Sequence, residues 1–319
     1  MYTGSRARHL WVHGDANQNR WIGWPENPTT PKRFPASGGV SFNPAFSDLF
    51  VQAPQGNGYY HGLTLNVMRR LTSGLQFQGA YTFSKNIDQG ASGTNASDAF
   101  PQASGMSYYW DMHHRKGRST LDIRNNFVSN ISYEFPRTAL TGFAGAVANG
   151  WQVNGIVSLS DGHAFDIRET NTAQNRAVRR GTGLRPNLIP GGNNDPVLGG
   201  PDRYYDVNQF VPSVCFGSTV CRAGDPDYQV GYFGNLGYNT ATGPGLATFD
   251  FSVLKDLRLT EGNRLQFRAE FFNLFNRVNF YLPDDTPFLS NGTRDPAAGT
   301  IRRTRTSARQ IQFGLKFLF

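Results

Sequence analysis

Two short stretches hold residue types that could carry chemistry. The run Asp111-Met112-His113-His114 could bind a metal ion, and Gly181-Thr182-Gly183 could cradle a phosphate. Adjacent histidines on an extended segment point in opposite directions, and no further ligand follows at a useful spacing. The glycines lack the strand-to-helix context that a phosphate loop requires. We therefore predict no catalytic site, no metal and no cofactor, and we expect that the protein is not an enzyme.

The chain contains two cysteines, Cys215 and Cys221, in a stretch with Pro212, Gly217 and Gly224. A single pair at this spacing has no second pair with which to form a zinc site. One interpretation is a local disulfide between the two cysteines, formed in an oxidising compartment. The other interpretation is that both are reduced and unrelated.

Aromatic residues in two long polar stretches are the remaining candidates for ligand binding. Such side chains could stack on a sugar or on an aromatic ligand, and loops often carry binding residues. The alternative is that they pack the loops against one another. The candidates are Tyr108, Tyr109, Trp110, Tyr204 and Tyr205.

The composition favours an all-β chain. Of 319 residues, 36 are Gly and 13% are aromatic, a combination typical of strands and turns. The mean hydropathy is -0.46, and no apolar run approaches the roughly 18 to 20 residues that a membrane helix needs. These values exclude a helical membrane protein. They allow a membrane barrel, because barrel strands show only alternation of apolar and polar residues.

The net charge of +8 comes from 31 Lys and Arg against 23 Asp and Glu. A basic chain raises nucleic acid as a partner. Here, however, the basic residues are scattered among predicted strand ends and loops and form no recognition motif. We expect no nucleic-acid partner, and on a barrel such residues would lie at the membrane rims near lipid phosphates.

Alternation of apolar and polar side chains predicts a series of strands. The clearest is residues 75–84, where Leu75, Phe77 and Tyr81 alternate with Gln76 and Gln78. The other predicted strands are residues 47–53, 59–71, 126–135, 151–160, 249–253, 265–271 and 311–319. In a membrane barrel the polar sides would line the lumen, with Gln76, Gln78, Asn126, Asn130, Asn154, Arg268 and Glu270 as lumen-facing candidates.

The connections between these strands alternate between short and long. Residues 1–40 are predicted to be an irregular or incomplete segment, Pro54–Gly58 a turn, and residues 161–247 a functional or disordered loop. Outer-membrane barrels have short periplasmic turns and long extracellular loops, so their connections alternate in length. A β-sandwich is not expected to show this alternation. The predicted fold is an all-β, antiparallel transmembrane β-barrel segment of about eight strands, with short periplasmic turns and long extracellular loops.

The last predicted strand ends in a pattern of polar, glycine and aromatic residues. Gln312, Gly314, Phe317 and Phe319 resemble the C-terminal signal that the barrel-assembly machinery of Gram-negative bacteria reads. This resemblance implies the cell outer membrane as the location, with outer-membrane lipid and that machinery as partners. The alternative is an ordinary closing strand of a soluble sheet.

Four runs resemble the C-terminal barrel of TonB-dependent receptors, in particular the subgroup that carries a carboxypeptidase-regulatory-like domain at the N-terminus. The runs are residues 264–280, residues 150–156, residues 81–88 and residues 312–319. The resemblance covers residues 41–319 and implies energised uptake of a nutrient such as a siderophore, a carbohydrate or a peptide-like ligand. It also implies that the plug, the TonB box and further strands are absent from this chain, so that the TonB complex would act only through a missing N-terminal part.

Two other functions remain open at this point. A self-contained small outer-membrane barrel, acting as an adhesin or binding protein, would need its own signal peptide, and residues 1–15 show no apolar region of the kind that such a peptide contains. A soluble β-sandwich that binds carbohydrate would show the same alternation.

Overall fold

Within its described residues, the chain forms a large antiparallel β-sheet with short strands, one short α-helix and a 3-10 helix (Val207–Gln209) in its connections. The computed structural model describes residues 1–17, 43–46, 49–89, 116–169, 185–212, 234–260, 262–289 and 291–319. The long strands are β1 (Tyr2–Asp15), β2 (Phe50–Thr72), β3 (Leu75–Asp88), β5 (Asn125–Glu134), β6 (Trp151–Ser160), β11 (Leu246–Arg258), β12 (Arg264–Phe272) and β13 (Gln310–Leu318). The short elements are β4 (Gly117–Arg118), α1 (Gly142–Ala148), β7 (Ala164–Phe165), β8 (Asn187–Leu188), β9 (Phe210–Val211) and β10 (Ala241–Thr242).

The long strands pair in the order β1-β2-β3-β5-β6-β11-β12-β13, and β4 pairs with β3 beside this path. Every pairing is antiparallel. Two further pairs, β7 with β10 and β8 with β9, form separate two-stranded sheets. The structure confirms an all-β, antiparallel fold. Within the described residues the sheet is open, with β1 at one edge and β13 at the other.

The pairing register separates the side chains of the long strands into two faces, because cross-strand partners lie on the same side of a sheet. One side, the apolar face, runs without interruption from β2 to β13. Its exposed apolar residues include Leu63, Leu65, Val67, Phe83, Ile131, Leu159, Phe267, Ile311, Phe313, Leu315 and Phe317. The opposite side, the polar face, carries mostly amides, hydroxyls and charged groups, with Val128 and Ile156 among them.

Residues 2–15 form β1 and not the irregular segment that the sequence predicted. The strand was missed because its side chains lack a clear apolar alternation, and because its regularity depends on pairing with β2 far along the chain. A register shift at Leu10 accompanies a positive φ of 59° at His9, as at a β-bulge. Residues 16–17 are a turn, and the rest of that segment up to residue 42 lies outside the described residues.

The predicted turn Pro54–Gly58 is also wrong, because these residues lie inside β2. The glycines at this point allow β1 to approach closely. A Cβ on Gly56 would lie 3.1 Å from the carbonyl oxygen of Leu10, which is tighter than almost all real contacts. Glycine here therefore serves strand packing and not a change of direction.

The connections at one end of the sheet are short and those at the other are long. At the short end, Ser73 and Gly74 join β2 to β3, residues 135–150 join β5 to β6, and residues 259–263 join β11 to β12. At the long end, the connections are residues 16–49, 89–124, 161–245 and 273–309. From β2 onward this alternation agrees with the sequence prediction, which missed helix α1 in the connection from β5 to β6.

In the described part of the chain, the main hydrophobic core lies in the long connections and not between sheet faces. We call their described parts the loop layer, which comprises residues 116–124, 161–169, 185–212, 234–245, 273–289 and 291–309. The buried core consists of Phe165, Ile167, Tyr204, Tyr205, Phe210, Leu236, Ala241 and Phe288. The described parts of residues 161–247 are thus ordered, because they bury apolar side chains against one another and against residues 273–309.

None of the helices within the described residues has the length and apolar content needed to cross a bilayer.

The turn between β2 and β3 yields a stability prediction. Ser73 and Gly74 both have positive φ, 52° and 81°, as in the two-residue hairpin turns that match strand twist. A Cβ on Gly74 would lie 2.2 Å from the carbonyl oxygen of Glu134. We expect Gly74→Ala to cost about 1–3 kcal/mol of folding free energy, measured as a lower thermal midpoint in detergent.

The matched control is Gly262→Ala in the turn between β11 and β12. A Cβ on Gly262 would meet no atom within 4 Å, and its φ is not in the left-handed region. This variant should keep the wild-type thermal midpoint. Equal midpoints for both variants would show that the Gly74 turn tolerates a side chain and would refute the prediction.

Candidate functional site

The polar face of the sheet brings together the lumen-facing candidates predicted from the sequence. Antiparallel pairing sets Gln78 opposite Asn130 and Glu270 opposite Gln312. All seven predicted residues lie on this one face: Gln76, Gln78, Asn126, Asn130, Asn154, Arg268 and Glu270. The strands therefore form a continuous polar wall that spans β3 to β13.

Hydrogen bonds between side chains connect three neighbouring strands across this wall. The Gln152 amide nitrogen donates to Ser132 Oγ at 2.9 Å and to Asn154 Oδ1 at 2.9 Å. Asn154 in turn donates through Nδ2 to Ser252 Oγ at 3.1 Å. Amides and hydroxyls that bond one another still keep further donors and acceptors. The wall can therefore hydrogen-bond water or a polar solute along its length.

The same face carries charged groups on β12. Arg268 Nη2 lies 3.4 Å from Glu270 Oε1, and the arginine side chain is 46% exposed. Beside them, Gln266 donates to Asp256 Oδ1 at 3.1 Å. A charged pair of this exposure requires an aqueous surrounding. The polar face is thus chemically suited to water and the apolar face to lipid.

The loop layer lies beyond the long end of the sheet and is held by ionic hydrogen bonds. Arg118 on β4 donates through Nε to Asp122 Oδ2 at 2.9 Å and through Nη1 to Thr242 Oγ1 at 2.9 Å. Thr242 donates through its hydroxyl and its backbone N–H to the carboxylate of Asp195, each at 2.9 Å. These contacts join the connection after β3 to two parts of the connection after β6.

A second set of contacts joins the connection after β6 to the connection after β12. Arg168 lies against Asp285, with Nε at 2.8 Å and Nη2 at 2.7 Å from Oδ2. His163 donates from Nδ1 to the Thr120 carbonyl at 3.1 Å and accepts from Arg305 at Nε2, also at 3.1 Å. Burial, followed by the Arg305 charge, lowers the pKa of His163, so the imidazole is neutral in this arrangement.

An ionisable pair is buried in the centre of the loop layer. Asp166 and Arg185 are 1% and 4% exposed, and Arg185 Nη1 lies 3.8 Å from Asp166 Oδ2. The backbone N–H of Asn239 donates to Asp166 Oδ1 at 3.2 Å, while Oδ2 accepts no hydrogen bond from the described residues. Burial raises the pKa of Asp166 to about 6, against the opposing effects of Arg185 and Asn239. Burial also raises the pKa of Asp285.

The structure corrects the ligand role predicted for Tyr204 and Tyr205. Both are buried, at 7% and 0% exposure, and belong to the hydrophobic core. The Tyr204 hydroxyl donates to the Thr242 carbonyl at 3.0 Å, and the Tyr205 ring meets Phe165 and Phe210. Their rings therefore pack the loops together, as the alternative interpretation held, and present no free surface on which a ligand could stack.

Several predicted residues lie outside the described part of the chain. These are Tyr108, Tyr109 and Trp110, the cysteines Cys215 and Cys221, and the runs 111–114 and 181–183. Among the residues that the structure does describe, no group of three or more His, Cys, Asp or Glu could hold a metal ion.

The residues of the predicted assembly signal lie on and just after β13. Gln312 and Gly314 fall on the polar face, opposite Glu270 and Arg268. Phe317 falls on the apolar face and its ring stacks with that of Phe319, 5.9 Å away. The signal thus presents its aromatic and polar residues in a regular edge strand. Its recognition by the assembly machinery stays a prediction.

The short end of the sheet holds a cavity that the sequence did not predict. Its volume is about 710 Å³, and it is bounded by α1 and by the ends of β5, β6, β11 and β12. Beside it, the ammonium group of Lys255 on the apolar face donates to the backbone carbonyls of Ala146, Val147 and Asn149. In the sequence, the one sign of this contact is a lysine, Lys255, at a position of β11 where the alternation places an apolar residue.

The amino-acid sequence matches a known protein family along nearly its whole length. The family is described as "Outer membrane beta barrel domain", and its sequence model matches residues 1–312. No curated protein matches the chain.

The buried carboxyl group of Asp166 yields a pH prediction. Its pKa in the fold, about 6, lies above the ordinary value of 3.8. The folded loop layer therefore binds more protons than the opened one between these values, and its stability falls as the pH rises from about 4 to about 6. The loss is at most about 3 kcal/mol, because one pKa unit corresponds to about 1.36 kcal/mol. Hydrogen exchange of residues 163–169, corrected for intrinsic rates, should show this loss of protection.

Asp166→Asn should reduce the pH dependence of that protection, whatever it does to the absolute stability. The matched control is Asp202→Asn, which changes an exposed carboxylate in the same layer. Asp285 contributes with the same sign, so a smaller slope should remain in the Asp166 variant. A wild-type slope in Asp166→Asn would show that this carboxyl group does not titrate on folding.

Proposed function

Because the chain belongs to the family of outer membrane beta barrel domains, we propose that it forms part of the barrel of a TonB-dependent receptor for the energised uptake of a nutrient. The family places the protein in the outer membrane. The proposal adds the receptor class, the energised mechanism and the nutrient, which would be a siderophore, a carbohydrate or a peptide-like ligand. It assigns the protein to transport and not to catalysis.

The observation that carries the proposal is the separation of the sheet into two chemically opposite faces. Leu65, Val67 and Leu315 on the apolar face are 55%, 62% and 69% exposed. Exposed apolar area of this continuity requires lipid or another apolar partner. The polar face, with Asn154 and Arg268, offers hydrogen-bonding groups to a hydrated passage. A transmembrane strand needs only about 9–11 residues to span the bilayer, and the long strands have at least 9.

The sequence runs that resemble TonB-dependent receptors occupy defined places in this sheet. Residues 264–272 form β12, residues 312–318 lie in β13, residues 151–156 begin β6, and residues 81–88 end β3. In the receptors that the chain resembles, a plug lies inside the barrel, and the energising inner-membrane complex engages an N-terminal box. Residues of the polar face would then either line the passage or hold the plug.

The orientation follows from the two ends of the sheet. Outer-membrane barrels carry short turns on the periplasmic side and longer loops outside. In this orientation the loop layer faces the exterior, where a nutrient arrives, and α1 faces the periplasm. The loop layer would form the first surface that the ligand meets.

A second candidate function is adhesion or passive binding by a small outer-membrane barrel. The ordered loop layer favours it, since a hydrophobic core with the buried Asp166 and Arg185 gives those loops a fixed shape. A soluble carbohydrate-binding sandwich, in contrast, does not agree with membership of an outer-membrane family.

Membrane insertion is the first property to test. We expect the protein to fractionate with outer membranes and to migrate faster on a detergent gel when unheated than when boiled, because the hydrogen-bonded sheet resists detergent until it is heated. The Gly74→Ala variant should lose this difference at a lower temperature than Gly262→Ala. A monomer that stays soluble without detergent would refute the barrel.

Transport is tested by making the polar face apolar. Cells that carry Asn154→Leu with Arg268→Leu should take up nutrient about tenfold more slowly, because two polar contacts are each worth about 0.5–1.5 kcal/mol. The measurement is the uptake of a labelled ferric siderophore, a labelled maltooligosaccharide and a labelled tripeptide, with and without a protonophore. Only strains that retain heat-modifiable migration are compared.

The matched control is Val153→Leu with Phe267→Leu, which alters the neighbouring residues on the apolar face and preserves their character. It should leave uptake unchanged. Uptake that continues in the presence of a protonophore would indicate a passive barrel. If deletion of the gene changes the uptake of no probe but abolishes adhesion to a surface, the adhesin function replaces the receptor.

A further inference from the structure

The helix α1 carries an exposed apolar stripe at the short end of the sheet. Leu140, Phe143 and Val147 are 54%, 87% and 52% exposed. Phe143 and Val147, four residues apart, lie on one side of α1, and Leu140 lies just before the N-cap Thr141. The helix, Gly-Phe-Ala-Gly-Ala-Val-Ala, contains no charged residue. An almost fully exposed phenylalanine on an uncharged helix is unfavourable in water.

The last turn of α1 is attached to the apolar face of the sheet. Trp151 donates through Nε1 to the Val147 carbonyl at 2.8 Å. Lys255 Nζ donates to the carbonyls of Ala146 at 2.6 Å and Val147 at 3.0 Å, and also to that of Asn149. The same ammonium group lies 4.9 Å from the centre of the Trp151 ring. Because Trp151 and Lys255 are cross-strand partners on β6 and β11, the stripe on α1 adjoins the apolar face.

These contacts indicate the depth at which α1 would lie in a lipid bilayer. Lysine on a lipid-facing strand directs its amine toward polar groups, and tryptophan favours the boundary between head groups and acyl chains. Here the polar groups that Lys255 reaches are the free carbonyls at the C-terminal end of α1, where a cation is stabilised. The helix therefore lies where the apolar face ends, at the level of the lipid head groups.

We propose that α1, together with the preceding Leu140, is an interfacial membrane anchor, which inserts Leu140, Phe143 and Val147 into the phospholipid surface of the leaflet nearest the short turns. Amphipathic helices with an apolar side bind membranes in this way, along the plane of the interface. The inference rests on the proposed contact between the apolar face and lipid. Lysine 255 acts as a positioning residue, since it holds the helix against the rim without contacting the acyl chains itself.

The test is photo-crosslinking from single positions of the full chain. A benzophenone amino acid replaces Phe143 in one variant, Leu65 on the apolar face in a second, and Leu198 in the loop layer in a third. Leu198 is 57% exposed and lies at the opposite end of the molecule. Each variant is reconstituted in vesicles of phosphatidylethanolamine and phosphatidylglycerol, irradiated, and digested for mass spectrometry of lipid adducts. Only protein that migrates as a folded species before heating is counted.

We expect lipid adducts at positions 143 and 65, each several-fold above the yield at position 198. Adducts at 65 without adducts at 143 would overturn the anchor and leave the barrel in place. Absence of lipid adducts at both 143 and 65 would overturn the barrel and the anchor together. Crosslinks from 143 to another protein copy, in place of lipid, would assign α1 to an interface between chains and would also overturn the anchor.

A second variant separates positioning from general packing. Lys255→Met, made in the chain that carries the probe at 143, removes the donor to the α1 carbonyls and should lower the lipid adduct at 143 several-fold while the adduct at 65 is retained. Lys316→Met, on the polar face of β13, is the control and should change neither yield. An unchanged adduct at 143 in Lys255→Met would refute the positioning role.

Discussion

The hydrogen bonding of the main chain between antiparallel neighbours is the constraint on which the rest of the structure depends. Within the described residues, each long strand between the edge strands β1 and β13 satisfies its N–H and C=O groups through its two neighbours, so these inner strands need no water to saturate their backbone. This is the condition for crossing a bilayer with strands. Once the backbone is satisfied, side chains alone decide what each face contacts. The apolar face is suited to lipid, while the amides and charged groups opposite require water. The wall of an outer-membrane barrel follows from these two requirements.

The core of this protein is therefore displaced from the sheet to its long end. In a soluble sheet protein, an apolar face such as that of Leu65 and Leu315 would be covered by a second layer. Here the residues that bury one another, Phe165, Tyr205 and Phe288 among them, all belong to connections. The sheet holds its strand ends side by side, so the connections that leave them lie close together. Ionic contacts such as that of Arg168 with Asp285 then fix their relative positions. The sheet thus acts as the frame on which the loop layer packs.

The alternation of apolar and polar residues predicted β3, β5, β6 and β12 well, because the two faces of each of these strands carry different residue types. It failed for β1, where Arg6 and Arg8 share a face with Tyr2 and the pairing with β2 supplies the regularity. It failed for α1 because the helix is only 7 residues long and its Thr141 side chain makes no capping hydrogen bond. The polar wall was predictable from the two-residue repeat of apolar and polar side chains alone. The burial of Tyr204 and Tyr205 was not, since it depends on contacts between segments that are distant along the chain.

The charged groups at the two ends of the sheet are stabilised in different ways. This difference indicates which end can rearrange at a low cost in free energy. At the short end, Lys255 is also buried, at 7% exposure, but its ammonium group donates to three backbone carbonyls at a helix terminus. At the long end, Asp166 and Arg185 are enclosed at a separation of 3.8 Å, where desolvation offsets much of their attraction. Opening the loop layer would return both groups to water and recover that cost. The favourable burial of the aromatic core opposes opening, so the balance between these two terms sets the stability of the loop layer.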